Sequence, residues 1–247
     1  MPPQVKDINR PDKKIVQQLA ELGSATVSSS LSKLGIRDVH LTGLQNWTPG
    51  KAIAGPAVTL QFMPLREDQY KQDEYSDPEE QLHRHALYTS QEGDIVVVDA
   101  RGSMSSGVFG DMMLTYFAGK GGAGVVIDGC IRDWPKAKKL ESLGFWIKGT
   151  TPNFHTQTEI FPYAVNVPIA CCDTLVMPGD IIVADDDGVA TVPVSMVDQL
   201  LERASFHHEW EDFSRERLMQ GGDLRRYYPL HDDAREEYEQ WKKERGH

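Results

Sequence analysis

The sequence has few of the features that mark exported, disulfide-bonded or membrane proteins. It contains three cysteines among 247 residues, Cys130, Cys171 and Cys172, and an odd number without regular spacing argues against a secreted disulfide framework. No apolar run approaches the roughly 20 residues that a membrane-spanning helix needs. The first residues, MPPQVKDINRPDKK, hold no apolar signal segment. We therefore expect a cytoplasmic protein that does not bind membranes.

Positive charge is also scarce. The 26 lysines and arginines are outnumbered by 37 acidic residues, which gives a formal net charge of -11. Because nonspecific binding to nucleic acid depends on a basic surface, we expect no nucleic-acid partner. A small anion can still bind where a few cations lie close together.

Common metal and cofactor motifs are absent from the sequence. There is no Cys-x-x-Cys pair and no GxGxxG loop, and neither His83 with His85 nor His207-His208-Glu209 has the HExxH spacing. We predict that these histidines lie on the surface. The run 185–188 (DDDG) resembles part of a calcium loop, but no glutamate follows at the EF-hand spacing, which favours a β-turn.

The order of apolar and polar segments predicts an α/β fold. Apolar residues at helical spacing predict helices from Lys14 to Leu22 and from Val27 to Leu34. Short β-rich runs alternate with helical segments further along the chain. The predicted strands are 53–62, 93–99, its near-copy 179–185, 125–128, 146–148 and 189–192, and the further predicted helices are 137–143 and 196–219.

Two segments differ from this alternation. Residues 64–82 are polar and acidic, and we interpret them as a surface insertion, with an active-site lid as the alternative. Residues 232–247 form a charged amphipathic helix with Tyr238 and Trp241 on one face. We therefore predict one catalytic domain over residues 1–225 and a helical tail over residues 226–247.

The most informative stretch is GVFGDMMLTYFAGKGGAGVVIDGCIRD, residues 107–133. Asp111 lies at the glycine-rich start of a predicted helix, whose free backbone N–H groups attract anions. Arg132 and Asp133 follow a predicted buried strand at its carboxyl end, where α/β sites usually lie. We predict that the three side chains meet and hold a divalent cation and a small anion. An ordinary N-cap at Asp111 and an exposed ion pair at Arg132 and Asp133 are the alternatives.

Other residues of this stretch have simpler interpretations. The glycine-rich run 119–124 lacks the Gly-Lys-Ser/Thr ending of a phosphate loop and precedes a strand, so we interpret it as a helix end and a turn. Cys130 has no histidine near it in the sequence that would activate its thiol. We predict that it is a small buried packing residue.

The same stretch, together with SATVSSSLSKLG and PGDIIVADDDGVATVP elsewhere, resembles the RraA-like family. That family includes divalent-metal (class II) pyruvate aldolases such as 4-hydroxy-4-methyl-2-oxoglutarate aldolase, and the resemblance covers roughly residues 15–225. It implies an α-β-β-α sandwich of the swivelling type. It also implies a homotrimer, or a dimer of trimers, with sites between subunits.

The resemblance implies roles for the three charged residues. Asp133 would be the direct protein ligand of Mg²⁺, Mn²⁺ or another divalent cation, with waters in most remaining positions. Arg132 would hold the oxygens of a keto-acid substrate. Asp111 would orient a water of the metal's hydration shell for proton transfer.

Further roles follow from the same resemblance. The backbone amides of Met112, Met113 and Leu114 would cradle the substrate carboxylate. A glutamate of a neighbouring subunit would reach the metal's water shell, with Glu211 the first choice and Glu209 the second.

The resemblance implies a lyase that cleaves a 4-hydroxy-2-keto acid to pyruvate and a carbonyl product. Oxaloacetate decarboxylation would accompany it, because both reactions pass through the enolate of pyruvate. The chain departs from the family pattern at Lys136, where the aldolases have an acidic residue, and at Ser29, where an aspartate is common.

Two alternative functions stay open. One is an RraA-type regulator that binds ribonuclease E, although those regulators depart from the Asp…Arg-Asp pattern that this chain retains. The other is a lyase or hydratase that acts on 2-keto-3-deoxy sugar acids, which Lys136 and the acidic insertion favour.

Overall fold

The computed structural model describes residues 5–70, 77–154 and 158–245, except for the side chains of residues 205–209. The chain forms two compact units, residues 1–197 and 198–247. The predicted division at residue 225 falls inside the second unit, and the assignment of one catalytic domain to residues 1–225 stays a prediction. Six residues of the predicted insertion, 71–76, lie outside the described part of the chain.

The first unit alternates helices and strands, as the sequence predicts. Short 3-10 helices at Pro78–Glu80 and Val194–Met196 complete it. Its elements in chain order are α1 (Lys13–Lys33), β1 (Gln45–Asn46), β2 (Ile53–Pro64), α2 (Leu82–Thr89), β3 (Ile95–Gly107), α3 (Asp111–Gly119), β4 (Gly124–Ile131), α4 (Trp134–Ala137), β5 (Gly144–Thr150), β6 (Ile160–Val165), β7 (Ile169–Cys171), β8 (Thr174–Val176), β9 (Ile181–Ala184) and β10 (Val189–Val192).

A mixed eight-stranded sheet forms the centre of the first unit, in the order β1-β5-β4-β3-β2-β9-β10, with β6 also paired to β2. Strands β2, β3, β4 and β5 are parallel neighbours, and α2, α3 and α4 lie in the connections between them. The apolar runs 95–98 and 125–127 are buried on both faces, as central parallel strands require.

Alternate residues of these strands point to opposite faces of the sheet. Val96, Val98 and Ile127 pack in one core with Leu114 and Phe117 of α3. Their neighbours in the strands pack in a second core with residues of β7, β8 and β9. Helix α1 packs on β9 and β10. The layers are therefore helix, sheet, strands and helix, and the predicted α-β-β-α sandwich is confirmed.

Local differences from the predicted elements have physical causes. The two predicted N-terminal helices form one element with a kink at Gly23, where φ is 76°. The helix predicted over 137–143 instead spans Trp134–Ala137, because Pro135 in its first turn favours a helix start. Residues 185–188 join β9 to β10, which confirms the predicted turn.

The second unit is helical. It contains most of α5 (Val197–Met219), α6 (Leu224–Tyr227), a 3-10 turn at Asp232–Ala234 and α7 (Arg235–Arg245). Its own small core consists of Phe213, Tyr227, Ala234 and Trp241. The C-terminal helical extension is thereby confirmed.

Among the helices of the described residues, none is long and apolar enough to cross a membrane.

Candidate active site

The start of α3 lies against the carboxyl end of β4. The Arg132 N–H donates a hydrogen bond to the Phe109 carbonyl oxygen at 3.0 Å. Gly110 is the N-cap of α3, and a Cβ added to it would lie 2.9 Å from Arg132 Nε and 2.9 Å from Asp133 Oδ2. The structure thus brings Asp111, Arg132 and Asp133 together, while the roles assigned to them stay proposals.

Two ion pairs connect the charged groups. Arg132 Nε lies 3.3 Å from Asp133 Oδ2, and Lys136 Nζ lies 3.2 Å from Asp111 Oδ2. The hydrogen bond from Lys136 holds the pKa of Asp111 below its usual value, so this carboxylate is ionised at neutral pH. Lys136, the departure from the aldolase pattern, is therefore the partner of Asp111.

Asp133 has an unusual backbone. Its φ of 60° and ψ of 30° are left-handed, and although it precedes α4, its side chain makes no capping hydrogen bond. A non-glycine residue in this region costs about 1–3 kcal/mol and is often found at functional sites. The carboxylate is instead directed at Arg132, so the structure does not use it as a helix cap.

Asp111 and Arg132 line a cavity of about 350 Å³, and Asp133 lies against Arg132 and Gly110 of its wall. The Arg132 guanidinium carbon lies 5.8 Å from the centre of the Phe154 ring, which forms part of the wall. The lining residues are His83, Arg84, Gly107, Val108, Gly110, Asp111, Met112, Met113, Arg132 and Phe154.

The predicted carboxylate cradle is smaller than the sequence suggested. The Leu114 N–H donates to the Gly110 carbonyl oxygen at 3.1 Å, so this amide is used inside α3. The amides of Met112 and Met113 precede the first helical hydrogen bond, and the Met112 amide is hydrogen-bonded to the Asp111 carboxylate. Both residues line the cavity, whereas the side chain of Leu114 is buried in the core.

The available ligands fit a cation that keeps most of its water. Within the ranges described, no group of three or more His, Cys, Asp or Glu residues could hold a metal ion. The Asp111 and Asp133 carboxylates are nevertheless close enough for Asp133 to influence the pKa of Asp111. Mg²⁺ is commonly bound through one or two carboxylates and several waters, so this pair suits Mg²⁺ better than a metal that needs an all-protein shell.

Helix α2 contributes His83 and Arg84 to the cavity wall, and neither was predicted as a site residue. His83 and His85 are 1% and 8% exposed, so the prediction of surface histidines is wrong for both. His85 Nε2 is hydrogen-bonded to the Glu79 carbonyl oxygen at 2.7 Å, while His83 and Arg84 line the cavity. The positions of His83 and Arg84 depend on how α2 packs on its neighbours, and no sequence motif predicts that packing.

The remaining predicted residues lie elsewhere. Cys130 is fully buried, as predicted, and burial raises the pKa of its thiol. Glu211 belongs to the second unit, where it lines a groove with Ser214 and Leu218. The side chains of His207, His208 and Glu209 lie outside the described residues. A glutamate that reaches a neighbouring site therefore stays a prediction.

The structure is therefore an α/β protein that has a charged cavity between a helix start and a strand end, on an α-β-β-α sandwich. Comparison with known proteins makes this more specific. The chain belongs to the RraA-like family, whose profile, described as Aldolase/RraA, matches residues 24–191.

Two relatives show what the chain resembles. A Halalkalibacterium halodurans protein, provisionally named 4-hydroxy-4-methyl-2-oxoglutarate aldolase, is 36% identical over 134 residues, which are 54% of this chain and 62% of that protein. The match therefore spans less than two thirds of the relative. A Methanocaldococcus jannaschii protein without an assigned function is 35% identical over 131 residues, which are 53% of this chain and 62% of that protein.

Solved structures give longer matches. Streptomyces coelicolor RraAS2, described as an unusual member of the RNase ES inhibitor RraA protein family, is 43% identical, with 84% of this chain and 98% of that chain covered and a TM-score of 0.76. An uncharacterised Pseudomonas syringae protein shares the fold at 22% identity and a TM-score of 0.77, with 92% and 99% covered.

Proposed function

We propose that the protein is a divalent metal-dependent lyase that cleaves a 4-hydroxy-2-keto acid to pyruvate and a carbonyl product. The observation that supports this most directly is that Asp111 and Arg132 line one cavity at the start of α3, with Asp133 paired to Arg132. The name of the Halalkalibacterium relative points to the same class of reaction.

Arg132 and the start of α3 bind the keto-acid end of the substrate in this proposal. The substrate carboxylate accepts hydrogen bonds from the amides of Met112 and Met113, where the helix dipole favours negative charge. Arg132, held between Asp133 and the Phe154 ring, directs positive charge at the oxygen that becomes an enolate. A divalent cation held by Asp133, Mg²⁺ or Mn²⁺, would add Lewis-acid stabilisation of the same charge.

Asp111 is the proton-transfer residue of the proposal. Lys136 keeps its carboxylate ionised, so Asp111 can accept the proton of the 4-hydroxyl group through a water molecule. The C4–O bond then becomes a carbonyl, the C3–C4 bond breaks, and its electron pair forms the enolate of pyruvate. Protonation at C3 gives pyruvate. Loss of CO₂ from oxaloacetate gives the same enolate, so we propose this decarboxylation as a side activity.

Replacement of the metal ligand tests the proposal. Asp133→Asn should abolish Mg²⁺-dependent release of pyruvate from 4-hydroxy-2-keto acids, measured with a coupled lactate dehydrogenase, because the neutral amide is a much weaker ligand for a hard dication. Asp38→Asn, at an exposed aspartate of the same unit outside the cavity wall, is the matched control and should leave the rate unchanged. Full activity of folded Asp133→Asn would rule out the ligand role.

The assembly belongs to the same proposal. We propose a homotrimer, or a dimer of trimers, in which Glu211 of one copy completes the site of the next. The groove that Glu211 lines in the second unit leaves its carboxylate partly exposed, as this role requires. Light scattering of the intact chain reports the number of copies.

The match to Streptomyces RraAS2 favours a second candidate function, a regulator of an RNase E-type enzyme. The two functions are separated by assaying the same preparation twice, once for pyruvate release and once for inhibition of RNA cleavage. Inhibition that Asp133→Asn leaves intact, without pyruvate release from any keto acid, would establish the regulator. Including 2-keto-3-deoxy sugar acids among the substrates tests the remaining alternative.

A further inference from the structure

Among the described residues of the site, three cationic side chains face two carboxylates. Asp133 is paired with Arg132, and Asp111 is paired with Lys136. Arg84 also lines the cavity, and within the part of the chain that the structure describes no carboxylate lies within ion-pair distance of its guanidinium. Among the described residues, one arginine of the wall therefore has no counter-charge.

Arg84 is held in place by neutral groups. Its Nε donates a hydrogen bond to Gln81 Oε1 at 2.5 Å, and Gln81 is only 6% exposed. Arg84 itself is half-buried on α2. A guanidinium has five N–H donors, so four remain after this bond. A buried amide thus fixes the orientation of the side chain, and none of the residues that the structure describes makes a hydrogen bond to its two terminal nitrogens.

We propose that Arg84 binds a second carboxylate of the substrate, at the end remote from the keto group. This inference rests on the proposed lyase function, in which Arg132 and the start of α3 bind the first carboxylate. A planar guanidinium pairs with a carboxylate through two parallel hydrogen bonds, which gives both affinity and orientation. The substrate is then a dicarboxylic 4-hydroxy-2-keto acid, and Arg84 is the residue of this chain that selects it.

Size and charge both agree with a short dicarboxylate. Small-molecule sites measure about 300–1,000 Å³, and this cavity of about 350 Å³ is near the lower limit. A neutral polyhydroxy tail, as in a sugar acid, would offer Arg84 hydroxyl acceptors but no charge, and hydrogen bonds between two charged groups are stronger. The unbalanced cation therefore favours the dicarboxylate over the sugar-acid alternative.

A matched pair of substrates tests the inference. In 4-hydroxy-2-oxoglutarate a carboxylate occupies the position of the methyl group in 4-hydroxy-2-oxopentanoate. Arg84→Gln should lower kcat/KM for the dicarboxylate about 10- to 100-fold, mainly through KM, as expected for loss of charge-assisted hydrogen bonds. The rate with the monocarboxylate should stay unchanged, and Arg84→Lys should recover part of the loss. Arg37→Gln, at an exposed arginine outside the cavity wall, should behave as wild type.

A binding measurement separates failure of this inference from failure of the lyase proposal. Calorimetric titration in Mg²⁺ compares 2-oxoglutarate with 2-oxopentanoate, neither of which has a 4-hydroxyl group to deprotonate. The wild-type chain should prefer 2-oxoglutarate, and Arg84→Gln should lose that preference. Equal effects of Arg84→Gln on both ligands, or none on either, would overturn the role of Arg84. Retained preference for 2-oxoglutarate without any pyruvate release would instead reject only the lyase.

Discussion

Gly110 sets how closely the start of α3 approaches the end of β4. A Cβ at this position would come within 2.9 Å of Arg132 Nε and of Asp133 Oδ2, and both atoms belong to side chains that can move. We expect Gly110→Ala to fold but to displace the two charged groups. Because a misplacement of about 1 Å can cost about 100-fold in rate, kcat/KM for pyruvate release should fall by about that factor.

Gly119, the last residue of the same helix, provides the control for this substitution. A Cβ there would meet no atom within 4 Å, so Gly119→Ala should keep both activity and melting temperature. If Gly110→Ala retained the same kcat/KM as Gly119→Ala, the close approach at Gly110 would be irrelevant to the site.

The residues of the site differ in how far the sequence predicts them. Asp111, Arg132 and Asp133 flank one helix, a tight turn and one strand, so local geometry alone places them near each other. Arg84 approaches from α2, a separate element whose position depends on packing against β6 and α3. Nothing in the sequence near Arg84 distinguishes it from an exposed arginine.

At the scale of elements, the kink in α1 depends on a residue far away in the chain. After Gly23 the helix restarts at Ser24, whose N–H and hydroxyl both donate to the Asp185 carboxylate, at 2.7 Å and 2.6 Å. Asp185 therefore acts as the N-terminal cap for the second half of α1. Removal of a cap costs about 0.5–2 kcal/mol, so Asp185→Ala should lower the free energy of unfolding by about that amount in urea titrations.

Asp187 in the same turn provides the comparison. Its side chain is exposed, and its contact with the cap is a hydrogen bond from its backbone N–H to Asp185 Oδ1 at 3.0 Å. Asp187→Ala should therefore change the free energy of unfolding much less. Similar losses for the two variants would show that the turn, and not the cap, determines the stability.

The strands that the sequence analysis did not predict are short, and turn-forming residues lie in or beside them. Strands β6, β7 and β8 are three to six residues long, and prolines interrupt or flank them at positions 162 and 168. The turn between β7 and β8 uses Cys172 and Asp173 with φ of 52° and 62°, where such turns usually contain asparagine or glycine. The long central strands were predictable because continuous apolar runs are buried on both faces of a parallel sheet.

At the scale of the whole molecule, each of the two units has core residues of its own and therefore its own source of stability. The second unit is small, with four residues in its core. Charged side chains supplement this core: Arg217 Nε donates to Glu237 Oε1 at 2.5 Å, which connects α5 to α7. A unit with so little apolar burial should depend strongly on these polar contacts.

Glu216 makes the second unit sensitive to acid. Its Oε2 accepts hydrogen bonds from Trp241 Nε1 at 2.9 Å and from Arg245 Nη2 at 2.7 Å, and Arg217 Nη1 lies 3.3 Å from Oε1. The Trp241 hydrogen bond, followed by the two arginines, holds the pKa of Glu216 below its usual value. A carboxylate with a lowered folded-state pKa stabilises the fold above its unfolded-state pKa of about 4.3, and this contribution is lost as the pH falls through the folded value.

The variant Glu216→Gln carries an amide that does not titrate, so its melting temperature should depend on pH differently from that of the wild-type chain. At pH 7 it should melt below the wild-type chain, and the difference should shrink as the pH falls below about 4, because the wild-type glutamate then becomes neutral as well. Glu239→Gln, at an exposed glutamate of α7, should follow the wild-type curve throughout. Melting curves recorded by calorimetry from pH 7 to pH 3 measure both variants. A constant difference between Glu216→Gln and wild type over this range would mean that the charge of Glu216 does not stabilise the second unit.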